Sequence, residues 1–202
     1  MRRRIAVPLR SNQVSTKESV HAVSIPVVTE FERFESDSFA DIEALLEGRV
    51  FHVTKREHWS AIQKSGALLP NQNNSFASSF GSSINSFFRN CGCVSVFDYR
   101  VPPDDVIIKF RRQCNPFQPA TPENAGIAIL VLSPRVHESL LPWSLWKERK
   151  AFGEMVVPYV EAGHPGPIPL ELVENVFLLR VAENPSSLAG LLRRKRRSKT
   201  VG

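Results

Sequence analysis

An α+β domain is what the sequence predicts, and three observations predict it. Segments of strand length with period-2 or continuous apolar character recur along the chain, at 49–55, 94–99, 106–110, 127–132, 154–161 and 176–181. Between them lie short stretches of helical period, none long enough for a bundle. The composition, 42% hydrophobic and 23% charged over 202 residues, fits one filled core flanked by tails. The expected division is an arm over 1–37, a domain over 38–182 and a basic tail over 183–202.

The arm shows no sustained period: Pro8 and Pro26 interrupt it, and the apolar cluster Val20 to Val28 supports at most an edge strand. Ser38 with Asp41 three residues on reads as a capping pair, and Phe39, Ile42, Leu45 and Leu46 recur at helical spacing before Gly48. A strand follows over Arg49 to Lys55, with Val50, His52 and Thr54 on one face and Phe51 and Val53 on the other. From Glu57 the period becomes helical, through Trp59, Ile62 and Gln63, and Gly66 stands at the C-cap position.

The polar stretch Asn71 to Ser83 is long for a connection, and such loops tend to carry function. Ser83 to Asn90 reads as a helix, with Ile84, Phe87 and Phe88 on one face and Asn85 and Arg89 beside it; Val94 to Tyr99 reads as a strand. The β-branched run Val106 to Phe110 predicts another, and Ile127 to Leu132 predicts a central strand buried on both faces. Ser133-Pro134 is an N-cap followed by proline at the first helical position, so a helix is expected to about Leu141, with Pro142 ending it. Trp143 to Phe152 reads as a helical or turn segment. Glu154 to Glu161 reads as an edge strand because of Pro158, followed by a turn over Gly163 to Pro167, a short turn or helix from Ile168, and a last strand over Val176 to Val181.

Charge is concentrated at the ends. Removing the nine positive charges of Arg2 to Arg4, Arg193 to Arg197 and Lys199 from the net +6 leaves the body at −3, so attraction for nucleic acid would reside mainly in the tails. Cys91, Cys93 and Cys114 offer a C-x-C spacing with no second pair, which argues against a disulfide framework and a zinc site, and no metal is expected. No apolar run reaches the ~18 residues of a membrane span. With no continuous apolar stretch after the basic N-terminus, a cytoplasmic location is expected.

The unit H-x-T, His52-Val53-Thr54, followed by the helix Trp59-Ser60-Ala61-Ile62-Gln63-Lys64-Ser65-Gly66, resembles the opening of ADP-ribosyltransferase-fold proteins. DarT-like DNA ADP-ribosyltransferases look closest, RNA 2'-phosphotransferases more distant. The order G-E-M-V-V-P, a turn, I-P-L-E-L-V and an apolar strand resembles the C-terminal part of that family, in which a glutamate opens the penultimate strand and I-P follows. The resemblance implies a split sheet around a cleft for NAD, the substrate. It implies that His52 and Thr54 hold and support the nicotinamide riboside, that Trp59 stands at a helix position where relatives often carry a nicotinamide-contacting asparagine, that Arg89 is catalytic and contacts the NAD phosphate, and that Glu154 is the catalytic carboxylate, with Glu161 next to test. Position 152, two before Glu154, is Phe rather than an acid, which speaks against arginine-specific modification and leaves DNA or RNA among the acceptors. A toxin-like transferase further implies an antitoxin or immunity partner. The competing reading is a catalytically degenerate binding module that contacts nucleic acid or a protein through basic tails.

Overall fold

The computed structural model describes residues 25–182, apart from 35–36, 74, 77, 79, 81–82 and 122–124, together with Ser186. The basic runs of both termini lie outside the described residues. A seven-stranded sheet runs in the order β1 (Val27–Phe34), β9 (Val173–Ala182), β5 (Ile127–Leu132), β2 (Val50–Lys55), β4 (Cys93–Asp98), β7 (Glu161–Pro165) and β6 (Leu141–Pro142). Only β1 and β9 are parallel; the other neighbours are antiparallel. A second ladder joins β3 (Ala67–Leu68) to β8 (Ile168–Pro169). Short helices, α1 (Ala40–Leu46), α2 (Trp59–Ser65), α3 (Phe87–Asn90), α4 (Asp105–Gln113) and α5 (Leu145–Glu148), complete an α+β architecture.

Alternation along the strands divides the core in two, since successive side chains point to opposite faces. Phe51, Val53, Phe97, Tyr99, Ile127, Ile129 and Leu179 fill one side. Val50, Trp59, Val94, Val96, Ala128, Leu130, Val176 and Leu178 fill the other. As its unbroken apolar sequence predicts, β5 is buried at every position inside the sheet. The sheet is uneven in one place. β2 pairs with β5 over five residues and β4 with β7 over five, but β2 and β4 pair only at Val50↔Asp98 and Phe51↔Phe97. Beyond Phe51 the two strands part.

Several expected elements take another form. The run at 106–110 is helix α4, not a strand: the Asp104 carboxylate caps it by accepting from the Ile107 N–H at 2.8 Å, and Ile107 and Arg111, one turn apart, face inward. Capping and a 3.6-residue period outweighed the strand preference of Val106, Ile107 and Ile108. The residues 154–160 form no strand. Met155 makes a single bridge to Ser86, and after Pro158 the backbone turns through a left-handed Tyr159 (φ 64°), which extended pairing does not allow. Strand β7 begins only at Glu161 and continues through Gly163 and His164, where a turn was expected; Gly163 is required there because a Cβ would lie 2.2 Å from the Phe88 ring. Pro134–Ser139 is a 3-10 turn rather than an α-helix, with Ser133 Oγ accepting from the Arg135 N–H at 3.4 Å. Helix α1 starts at Ala40 without a side-chain cap at Phe39, Ser38 Oγ accepting only from the Ala40 N–H at 3.2 Å. Residues 27–34, from the stretch read as an arm, are the parallel edge strand beside β9. Among the described residues no helix is long and apolar enough to cross a membrane.

Candidate functional site

Where β2 and β4 part, a cavity of ≈560 Å³ opens. Pockets of a few hundred Å³ with few, well-placed polar groups are the usual form of small-molecule sites. Its wall carries His52, Thr54, Arg89, Ser95, Glu154 and Glu161 among apolar residues that include Val53, Phe97, Val157 and Val160. Four of the five residues singled out in the sequence thus meet here: His52, Thr54, Arg89 and Glu154. The fifth, Trp59, does not line the cavity; its indole is buried in the core with Leu68 and Leu178, where α2 packs on the sheet.

His52 Nδ1 lies 2.8 Å from the Ser95 carbonyl oxygen, beyond the last β2–β4 pair. A carbonyl only accepts, so Nδ1 carries the proton. Burial, with a smaller contribution from nearby His58, holds the imidazole below its ordinary pKa, although the bond to Ser95 works the other way. The neutral ring therefore keeps Nε2 as an acceptor. Thr54 Oγ1, on the same face of β2, stands 3.0 Å from His58 Nδ1.

Ser95 also serves the carboxylate across the cavity. Its hydroxyl donates to Glu161 Oε1 in a short hydrogen bond, and the Val157 N–H donates to Glu161 Oε2 at 2.9 Å. Glu161 opens β7 directly opposite Phe97 of β4. Burial raises its pKa above the ordinary glutamate value, while the bonds from Ser95 and Val157 lower it. One serine thus links imidazole to carboxylate, accepting through its backbone and donating through its side chain. Sequence reading missed Ser95, although a serine on the same strand face as Phe97 and Tyr99 was the available signal. Cys114 also lines the cavity, and burial, aided by the Glu161 charge, pushes its thiol up to about 11, so it stays protonated.

Glu154 sits on the irregular segment before β7, beside exposed Met155 and Phe152. Its Oε1 accepts from Asn90 Nδ2 at 3.2 Å, and its carbonyl accepts from Trp146 Nε1 at 3.0 Å. Arg89, on α3, gives NH2 to the Gln72 carbonyl at a long 3.5 Å, whereas its buried Nε and NH1 have no hydrogen-bond partner among the described residues. Buried guanidinium donors without acceptors are costly, and an anion in the cavity would satisfy them. Among the described residues no group of three His, Cys, Asp or Glu is placed to hold a metal ion.

No family model, curated protein or solved structure matches the chain.

Proposed function

We propose that the protein is an NAD-dependent ADP-ribosyltransferase whose sheet, parted between β2 and β4, holds the dinucleotide. The observation that carries this is the convergence on one cavity of an acceptor imidazole, a guanidinium with two donors left without an acceptor among the described residues, and a half-buried carboxylate. Each has a task in cleaving a nicotinamide–ribose bond. His52 Nε2 accepts from a ribose hydroxyl, Arg89 holds the pyrophosphate, and Thr54 supports the nicotinamide riboside. As the bond breaks, its electron pair leaves with nicotinamide and positive charge grows on the ribose C1 and ring oxygen. A carboxylate already aimed at that centre stabilises the transition state more than the ground state.

Glu161 meets that requirement better than Glu154. It opens a strand, Ile168-Pro169 follows it, and two hydrogen bonds fix both of its oxygens. A strand-opening glutamate followed by I-P is what the resemblance attached to the catalytic carboxylate, which the sequence reading placed at Glu154. Glu154, at the cavity edge, takes a second role: the acceptor's nucleophile supplies a pair to C1, and Glu154 receives the proton it loses. The products are ADP-ribosylated acceptor, nicotinamide and a proton. Position 159, two before Glu161, is Tyr, so the case against arginine-specific modification stands for either carboxylate.

The acceptor we propose is nucleic acid. Lys147, Arg149 and Lys150 are exposed on and after α5, next to Phe152, which is 66% exposed and packs edge-on against the cavity residue Trp146. Cationic side chains interleaved with an available aromatic face suit phosphates and bases. Incubating the pure protein with labelled NAD and separate DNA, RNA and protein acceptors tests the proposal. Nicotinamide release with label on a nucleic acid is expected. Absence of both NAD binding and nicotinamide release with every acceptor would favour the binding-module reading instead.

A further inference from the structure

We infer that His58 is a positioning residue that makes Thr54 present a hydrogen-bond acceptor, not a donor, to the cavity; the inference rests on the NAD reading above for the identity of the ligand. Thr54 is 9% exposed, and a hydroxyl has one proton to give. Among the described residues its hydroxyl is bonded only to His58 Nδ1, at 3.0 Å. The imidazole is brought there by the 3-10 turn Arg56–His58, which is tied to the sheet by the Arg56 N–H bonded to the Gly126 carbonyl at 3.1 Å and followed at once by buried Trp59. On the far side of the ring, Glu57 Oε1 lies 4.0 Å from Nε2. A carboxylate on that side favours a proton on Nε2, which leaves Nδ1 of the neutral ring as the acceptor.

The consequence for Thr54 follows from counting protons. Its hydroxyl hydrogen goes to Nδ1, so what the cavity meets is an oxygen with lone pairs alone. A substrate group opposite Thr54 must therefore donate: a ribose hydroxyl or the N–H of a carboxamide suits it, and a carboxylate does not. The same side chain without His58 could donate instead, so the imidazole selects the class of group that binds. His52 presents an acceptor through Nε2 as well. This part of the wall consequently recognises donors, while Arg89 supplies donors for anionic groups.

Two measurements test this at about pH 8. The first needs no ligand: ¹⁵N–¹H correlation spectra of the wild-type protein should show His58 as the Nε2–H tautomer with an unprotonated Nδ1, and an Nδ1–H tautomer would overturn the inference. The second is calorimetric NAD affinity for His58→Ala, His58→Asn, Thr54→Val and the double variant Thr54→Val/His58→Ala. His58→Ala should weaken NAD binding about three- to tenfold, the scale of one neutral hydrogen bond, with kcat changed little. His58→Asn places an amide near the Nδ1 position and should restore most of the affinity. The double variant should bind as Thr54→Val does, because His58 acts through that hydroxyl. Additive losses, or full NAD affinity in a folded His58→Ala protein, would refute the role. If the wild-type protein binds no NAD, the transferase proposal has failed, and the tautomer measurement still decides the proton on His58.

Discussion

Replacing Glu161 with glutamine separates the cost of this carboxylate from its use. The amide keeps the shape, can accept from the Val157 N–H and can meet the Ser95 hydroxyl, so the local fold should survive. Burial raises the folded-state pKa of Glu161 above 4.5, the ordinary glutamate value expected of the unfolded chain. A raised pKa in the native state means that its stabilising share is fully present below the unfolded value and is lost as pH rises through the folded one. Above that range the native protein holds a buried charge at a cost, and Glu161→Gln removes it. Melting temperatures should therefore coincide near pH 4 and diverge by about pH 8, with the variant higher by roughly 2–4 °C for each kcal/mol recovered. Turnover moves the other way, with nicotinamide release expected to fall by about 10²-fold or more and NAD affinity little changed. Ser95→Ala supplies an internal check. Loss of a bond that lowers the pKa of Glu161 should shift the acid limb of the pH–rate profile to higher pH. A folded Glu161→Gln protein with wild-type turnover, or with no pH-dependent gain in melting temperature, would refute this account of the site.

Four further outcomes are expected. Glu154→Gln should slow transfer to the acceptor while leaving slow hydrolysis of NAD by water measurable, a split seen by following nicotinamide and labelled product separately. His52 has a folded-state pKa below its ordinary 6.5, so its contribution is present above that value and lost as pH falls through the folded pKa; His52→Gln should flatten the loss of melting temperature between about pH 7 and pH 5. Arg111, 8% exposed, donates to the carbonyls of Tyr99 and Val101 as well as to half-exposed Glu47 and lies 3.8 Å over the Tyr99 ring, so Arg111→Ala should cost about 1–3 kcal/mol in urea titrations by removing that packing and leaving the carbonyls without a donor. Gly163→Ala should cost about 1–3 kcal/mol, and Phe88→Leu in the same chain should recover part of it if the ring clash is the cause.

Where one short-range rule governed a segment, the sequence was legible. Gly66 ends α2 in the left-handed conformation (φ 71°), β5 is buried on both faces, and the two faces of β2 separate into the two cores as alternation requires. Misreadings arose where two local signals conflicted. Over 105–113 the β-branched residues masked a capped helix, and over 154–160 valines and a tyrosine suggested pairing that Pro158 and the left-handed Tyr159 prevent. The strand that opens with a glutamate is consequently β7, at Glu161, and not the segment at Glu154. Arg89 came from the family resemblance, as the arginine just before β4, and it lies on α3 at the cavity wall. Ser95 was not found, since its importance lies in touching His52 and Glu161, which are 43 and 66 positions away in sequence.

The place where the sheet parts explains why these residues could become a site at all. Parting two strands strands the backbone groups that faced each other, and buried carbonyls need partners. Past Phe51 the β2 backbone no longer reaches β4, and the Ser95 carbonyl is taken by the imidazole of His52. The side chain stands in for a ladder bond, and in doing so it is fixed as the tautomer that leaves Nε2 free. The same opening exposes the Ser95 hydroxyl to Glu161 on the next strand, whose carboxylate replaces water around a group that would otherwise face an apolar wall. Stability of the parted sheet and readiness of the site thus share one set of bonds. His52→Ala should on this argument do more than remove a ligand contact: freeing the Ser95 backbone should loosen the serine and, through it, Glu161. Amide hydrogen exchange across 93–98 and 157–162 would then rise together in that variant, whereas protection unchanged beyond His52 itself would show that the imidazole and the carboxylate are held independently.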